Sequence, residues 1–164
     1  MKKYELMEEQ KQHNRTVYRI KALVDFSDVK AGEIGGYVCG DAFILDNAVV
    51  KDNAVVCGNA LVYDDAVVSG NAKVYGKAVV YNNANVTDNA RVYENARIHG
   101  KATVKDSARA YGVIEIVDNV VLCGNAEVFD NAFICGDANI SGDAKICGTA
   151  DISGSAEIKN GVIK

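Results

Sequence analysis

The stretch Asn59-Ala60-Leu61-Val62-Tyr63-Asp64, Asp65-Ala66-Val67-Val68-Ser69-Gly70, Asn71-Ala72-Lys73-Val74-Tyr75-Gly76 repeats with a period of six. The same phase runs from Gly35 to Asn160, through 21 hexads without an insertion. Slot two is Ala in 18 hexads, and slot four is Val, Ile or Leu in every hexad but one, which carries Ala110. Side chains of an extended chain alternate between faces, so slots two and four share one side and slots three and five the other. The first side is an apolar seam. The last slot and the next first slot mostly hold Asn, Asp, Gly, Ser or Lys, a composition suited to a tight corner. Each hexad is therefore a short strand and a bend. One strand cannot bury its own seam, so a repeat this short and strict predicts stacked coils, a solenoid.

An aliphatic residue in one slot with a small residue two positions before it resembles the hexapeptide repeat of left-handed parallel β-helices. That superfamily includes many acyltransferases and the γ-class carbonic anhydrases. The resemblance implies an all-β fold: a left-handed parallel β-helix of about seven triangular coils, with three hexads per coil. At about 4.8 Å per coil the shaft is roughly 34 Å long. Ala110 lacks volume at an inward slot, while Ile114 and Val120 stand where the next two hexads would have Ala. A close-packed core demands such compensation, which predicts that Ala110 and Ile114 touch.

The 164 residues read as one unit in three parts: a leader over 1–34, the repeat over 35–160 and a short end over 161–164. Pro is absent, as suits a chain made of paired strands. No stretch is apolar enough to span a membrane, and Met1-Lys2-Lys3 leads into Tyr4-Glu5-Leu6, not into a signal-peptide run; a cytoplasmic protein is expected. The net charge is −4, but 12 of the 16 acids of the repeat sit in corner slots, where Asp is turn chemistry before it is a binding surface. All five cysteines occupy slot five. Wrapped three hexads to a coil, Cys39, Cys57 and Cys147 fall on one face, Cys135 on a second and Cys123 on the third. That scatter builds no four-ligand zinc site, and no metal or cofactor is expected. Cys39 and Cys57 lie close enough for a disulfide, but reduced thiols are expected in a cytosolic setting.

In the leader, Tyr4 to Leu6 and Val17 to Leu23 alternate apolar with polar residues around a polar run, Glu8 to Arg15. This predicts a β-hairpin with a long or irregular turn, placed to cap the first coil, whose strand edges and interior would otherwise be open. Asp25-Phe26-Ser27-Asp28-Val29-Lys30-Ala31-Gly32-Glu33-Ile34-Gly35-Gly36-Tyr37-Val38 resembles a leader that precedes such repeats in a group of uncharacterised bacterial and phage proteins, often labelled transferases from fold alone. Tyr37 replaces the Trp of that pattern. The glycines are expected to let the chain swing from hairpin to first coil. An anion-binding loop at Lys30 to Gly36 is disfavoured, because no helix follows to present backbone donors.

Acyltransferases of the superfamily use a catalytic His and protruding loops, and the carbonic anhydrases use three His per zinc. This chain has no loop insertion and two histidines, His13 and His99. His99, outward on the shaft, could serve as a base at a subunit interface, but with no positioned partner in view no catalytic residue is assigned. An acyltransferase stands as the last of three readings. The outward slots carry more. Phe43, Leu45, Leu61, Tyr63, Val79 and Tyr81 form an apolar patch on the second face, with Phe133 further along it. A monomer rarely exposes so much, so either the leader covers the patch or another copy does. The first reading is thus a non-catalytic scaffold, a homo-trimer or homo-dimer assembled through this face. The second is a binder of a small anionic, nucleotide-like ligand, in a phage setting a sequestering protein. Its site would be a belt of Lys73, Tyr75, Arg91, Tyr93, Arg97, His99, Arg109 and Tyr111, with guanidinium for phosphate and ring for base. Against it stand tyrosines that only stack coil on coil, and arginines that pair with corner acids such as Glu94 or with Glu115. The basic patch is too short and too flanked by acids for a long nucleic-acid duplex.

Overall fold

The computed structural model describes residues 3–12 and 15–164, so His13 lies outside the described residues. All regular structure in it is β. The leader supplies β1 (Tyr4–Gln12) and β2 (Arg15–Ala22), and Ile34–Val38 forms β3. Strands β4 to β24 are two residues each, from Phe43–Ile44 to Val162–Ile163. With β1 to β3 they make up three sheets of ten, seven and seven strands, the three sides of a solenoid. Within a sheet the shaft strands are parallel and offset by 18 residues, as in Arg91 against Arg109 and Val79 against Arg97. Each coil is stitched to the next by backbone donors in slots three, five and one, for example Val55 N to Ala72 O (2.9 Å), Cys57 N to Val74 O (2.9 Å) and Asn59 N to Gly76 O (2.7 Å).

The seam is the core. Every Ala from Ala54 to Ala150 is at most 5% exposed, and their aliphatic partners from Val56 to Ile146 are sealed. Ala110 and Ile114 lie in that one cluster at 0% and 1% exposure. The corner has a definite geometry. From Gly40 to Gly154 the slot-six residue is left-handed whether it is Gly or not, as at Asp52 (φ 60°), Asp106 (φ 58°) and Gly124 (φ 67°). A slot-six N–H has no backbone acceptor in this pattern, and corner carboxylates supply one. Asp52 accepts from Gly70 N (2.9 Å), Asp106 from Gly124 N (2.9 Å) and Asp118 from Gly136 N (3.0 Å). Corner Asp therefore both tolerates the left-handed turn and ties one coil to the next.

The hairpin differs from its expected form. Most of the polar run is strand, paired antiparallel from Glu9 opposite Tyr18 to Gln12 opposite Arg15, with a bulge between Leu6 and Glu9. Cross-strand pairing of long polar residues suffices to extend a ladder that is solvated on one side. β2 then pairs antiparallel with β3, which closes the edge of the first-face sheet. Tyr4 Oη donates to Ile44 O (3.1 Å), and Arg19 lies over the Tyr37 ring at 4.5 Å while donating to its hydroxyl (2.5 Å).

The glycines of the leader also play a different part. Gly35 and Gly36 lie inside β3 without left-handed φ. A Cβ on Gly35 would stand 2.5 Å from Val50 O, and one on Gly36 2.5 Å from Ala54 O. They permit close backbone approach and are not a swivel. The preceding Asp25 to Ala31 segment is held by the Asp25 carboxylate, which accepts from Ala31 N (2.8 Å) and Lys30 Nζ (3.1 Å). Lys30 is thus spent on an internal ion pair.

Cys39 and Cys57 are joined as a disulfide, contrary to the expectation of free thiols. Equal slots of adjacent coils put their Cα atoms 4.6 Å apart, within disulfide range. Val17 and Tyr37 bury the pair. At the other end, β24 pairs with Lys145–Ile146 at an offset of 17, so the chain leaves the 18-residue phase after Asn160 yet still completes the first-face sheet.

Candidate functional site

The eight residues of the expected anion belt fall on two sides of the shaft. Lys73, Tyr75, Arg91, Tyr93, Arg109 and Tyr111 share the first face, whereas Arg97 and His99 belong to the second. No single site gathers all eight, because a shift of one hexad turns the chain to the next side.

On the first face the aromatic residues form a closed ladder. Ring centroids are 4.9 Å apart for Tyr75 and Tyr93, 4.8 Å for Tyr93 and Tyr111, and 5.2 Å for Tyr111 and Phe129, with interplanar angles of 2° to 6°. Each interior ring spends both faces on its neighbours and turns its edge outward. A flat base has no room between rings at this spacing, so Tyr93 and Tyr111 do not offer the stacking surface that the belt required. Strand spacing sets ring spacing, and like-on-like contact holds the coils in register. Burial pushes the Tyr93 hydroxyl up. Tyr111 is pushed to about 12, by burial first and then by the charge of Glu127, to which its hydroxyl donates at 3.4 Å.

The cations beside that ladder stand in one column. Lys73 and Arg91, and Arg91 and Arg109, are register partners, and all three are exposed. Glu127 reaches Arg109 at 3.7 Å. Among the described residues Lys73 and Arg91 have neither an ion pair nor a side-chain hydrogen bond.

The second face is tied differently. Tyr63, Tyr81 and His99 stack at 4.9 and 4.5 Å. His99 Nε2 sits 2.7 Å from Glu115 Oε1, and Arg97 contacts the Tyr81 hydroxyl at 3.5 Å in register with Glu115. The His99–Glu115 contact, unforeseen in the sequence, joins slot five of one coil to slot three of the next, 16 residues on. A sequence search for diagonal pairs at that separation would have found it. On its N-terminal side the apolar patch stays open: Phe43 is 58% exposed and Leu45 47%, with Leu61, Tyr63, Val79 and Tyr81 half-buried. Phe133, two coils past Arg97, is 38% exposed. The leader lies on the first face and over the first coil, leaving these residues uncovered. Where it meets the second face, a depression of about 360 Å³ opens among Lys3, Tyr4, Phe26, Ile44 and Leu45.

No helix among the described residues is long and apolar enough to cross a membrane. The profile of one protein family, described as the YdcK beta solenoid repeat, matches residues 54–70, just under one coil. No curated protein matches the chain. The matched repeat and the stacked parallel coils agree on a β-solenoid scaffold.

Proposed function

We propose that the chain is a non-catalytic scaffold that assembles with copies of itself through the second face. The observation that carries this reading is the uncovered patch running from Phe43 and Leu45 through Leu61 and Tyr63 to Val79 and Tyr81. Rings and branched side chains on three consecutive coils make a flat apolar strip, of the kind that marks an interface more often than free surface. A flat side repeated around a symmetry axis suits a closed trimer or a twofold dimer. Light scattering on the purified chain tests it. A mass of two or three copies is expected, falling to one in Leu61→Glu, whose side chain points outward and leaves the seam alone. A monomer at tens of micromolar in the unaltered chain would sink the proposal.

A second reading, binding of a small anion, is favoured by one observation: the unneutralised Lys73 and Arg91 on the first face. The two readings use different sides of the shaft and are compatible.

A further inference from the structure

Parallel stacking places equal slots about 4.8 Å apart, and like charges directly opposite each other in neighbouring strands disfavour pairing. Elsewhere the slot-three strand columns obey this rule, although corner acids such as Asp88 and Asp106 stack in register. Arg109, Glu127 and Lys145 alternate in sign along one column, and Arg97 faces Glu115. Lys73, Arg91 and Arg109 break it: three cations in register, with one carboxylate, Glu127, at the far end. The corner beside the row holds Asn71, Asn89 and Ser107, with Asn71 Nδ2 donating to Asn89 Oδ1 at 3.4 Å, and also Asp88 and Asp106, whose carboxylates accept from the backbone N–H groups of Asp106 and Gly124. Among the described residues neither Lys73 nor Arg91 forms an ion pair, although Asp88 and Glu94 stand at the corners on either side of Arg91.

We propose that this row seats a linear oligophosphate lying along the shaft axis across three coils. The inference rests on the anion reading above and narrows it. The row is straight and roughly 10 Å long, two coil steps. A single orthophosphate reaches one or two of its cations, whereas a condensed chain of three phosphates presents charge along the whole length. Guanidinium groups grip phosphate oxygens in pairs, and the Lys73 ammonium adds a point charge at the end. The phosphate chain could come free or as the tail of a nucleotide. Because Tyr75, Tyr93 and Tyr111 stack on one another, a nucleoside attached to that chain finds no ring face in the ladder interior and adds little.

Titration calorimetry of the full chain at low ionic strength tests this with tripolyphosphate, ATP and orthophosphate. Arg91→Gln and Lys73→Gln are the test variants, and Lys159→Gln, on the third face, is the control. Tripolyphosphate should bind at least about tenfold tighter than orthophosphate, with ATP within a few-fold of tripolyphosphate. Arg91→Gln should weaken tripolyphosphate about tenfold or more, as loss of a charge-assisted pair does, and Lys159→Gln should change nothing. Arg91→Gln relieves repulsion, so its low-salt melting temperature should hold or rise, which separates lost binding from lost fold. Equal affinity for orthophosphate and tripolyphosphate, both lost in Arg91→Gln, overturns the linear-chain inference and leaves the anion reading standing. ATP binding far tighter than tripolyphosphate overturns the claim that the base goes unread. No binding of any of the three, or equal losses in Arg91→Gln and Lys159→Gln, overturns both.

Discussion

Exchanging volume between Ala110 and Ile114 should reveal whether the interior is filled as one body. Ile114 is sealed at 1% exposure, and Ile114→Ala removes three carbons worth about 0.8 kcal/mol each, about 2.4 kcal/mol of burial. The cavity left in a rigid prism raises the cost, within the range of about 2–5 kcal/mol for such truncations. Ala110→Val inserts two carbons between Val92 and Val128, its register partners on either side, and overpacking of this kind costs about 1–3 kcal/mol. The double variant loses a single carbon relative to the native pair. If the two sites share space, it should be more stable than the added single costs imply by about 1–3 kcal/mol, the size of coupling seen between touching residues. Urea unfolding followed by far-UV circular dichroism on all four proteins measures this. Additive costs, within about 0.5 kcal/mol, would refute the shared-volume argument, since independent sites behave that way.

Gly36→Ala should destabilise the chain by about 1–3 kcal/mol, although Ala fills this slot in most hexads, because the new Cβ meets Ala54 O at 2.5 Å and Val50 Cγ1 at 2.9 Å. A melting temperature equal to that of the unaltered chain would show that β3 yields without cost. Alkaline titration should find one tyrosine ionising at about 12, absent in Tyr111→Phe. Its pKa is raised in the fold, so the stability it contributes is complete below pH 10 and is lost as pH climbs from 10 towards 12; a flat stability curve over that window would contradict the assignment. Reducing the Cys39–Cys57 disulfide, which closes a loop of 18 residues, should lower stability by about 3 kcal/mol in the chain-entropy account. An unchanged urea midpoint with reductant would mean that the stacked coils already hold this loop.

The six-residue period made the seam legible, because Ala and Val recur two positions apart and an extended chain must turn both the same way. Corner Asp was legible as turn chemistry for the same local reason. Its second role, accepting a backbone N–H from the coil 18 residues on, follows only once coils are stacked in register. The outward columns could be written down by counting, and so could the cation row of Lys73, Arg91 and Arg109. Counting did not reveal that the ring spacing closes the tyrosine faces, because that depends on rotamers set by parallel neighbours. Nor did it show that Gly35 and Gly36 are demanded by approach of Val50 and Ala54, or that Val17 folds over Cys39 and Cys57. The period of the sequence determined the coil and what lines it, since strand geometry alone converts alternation into inside and outside. Only the tertiary structure decided which outward groups meet: residues 16 to 18 apart touch through stacking, and the leader touches the shaft through an antiparallel pairing that no local pattern encodes.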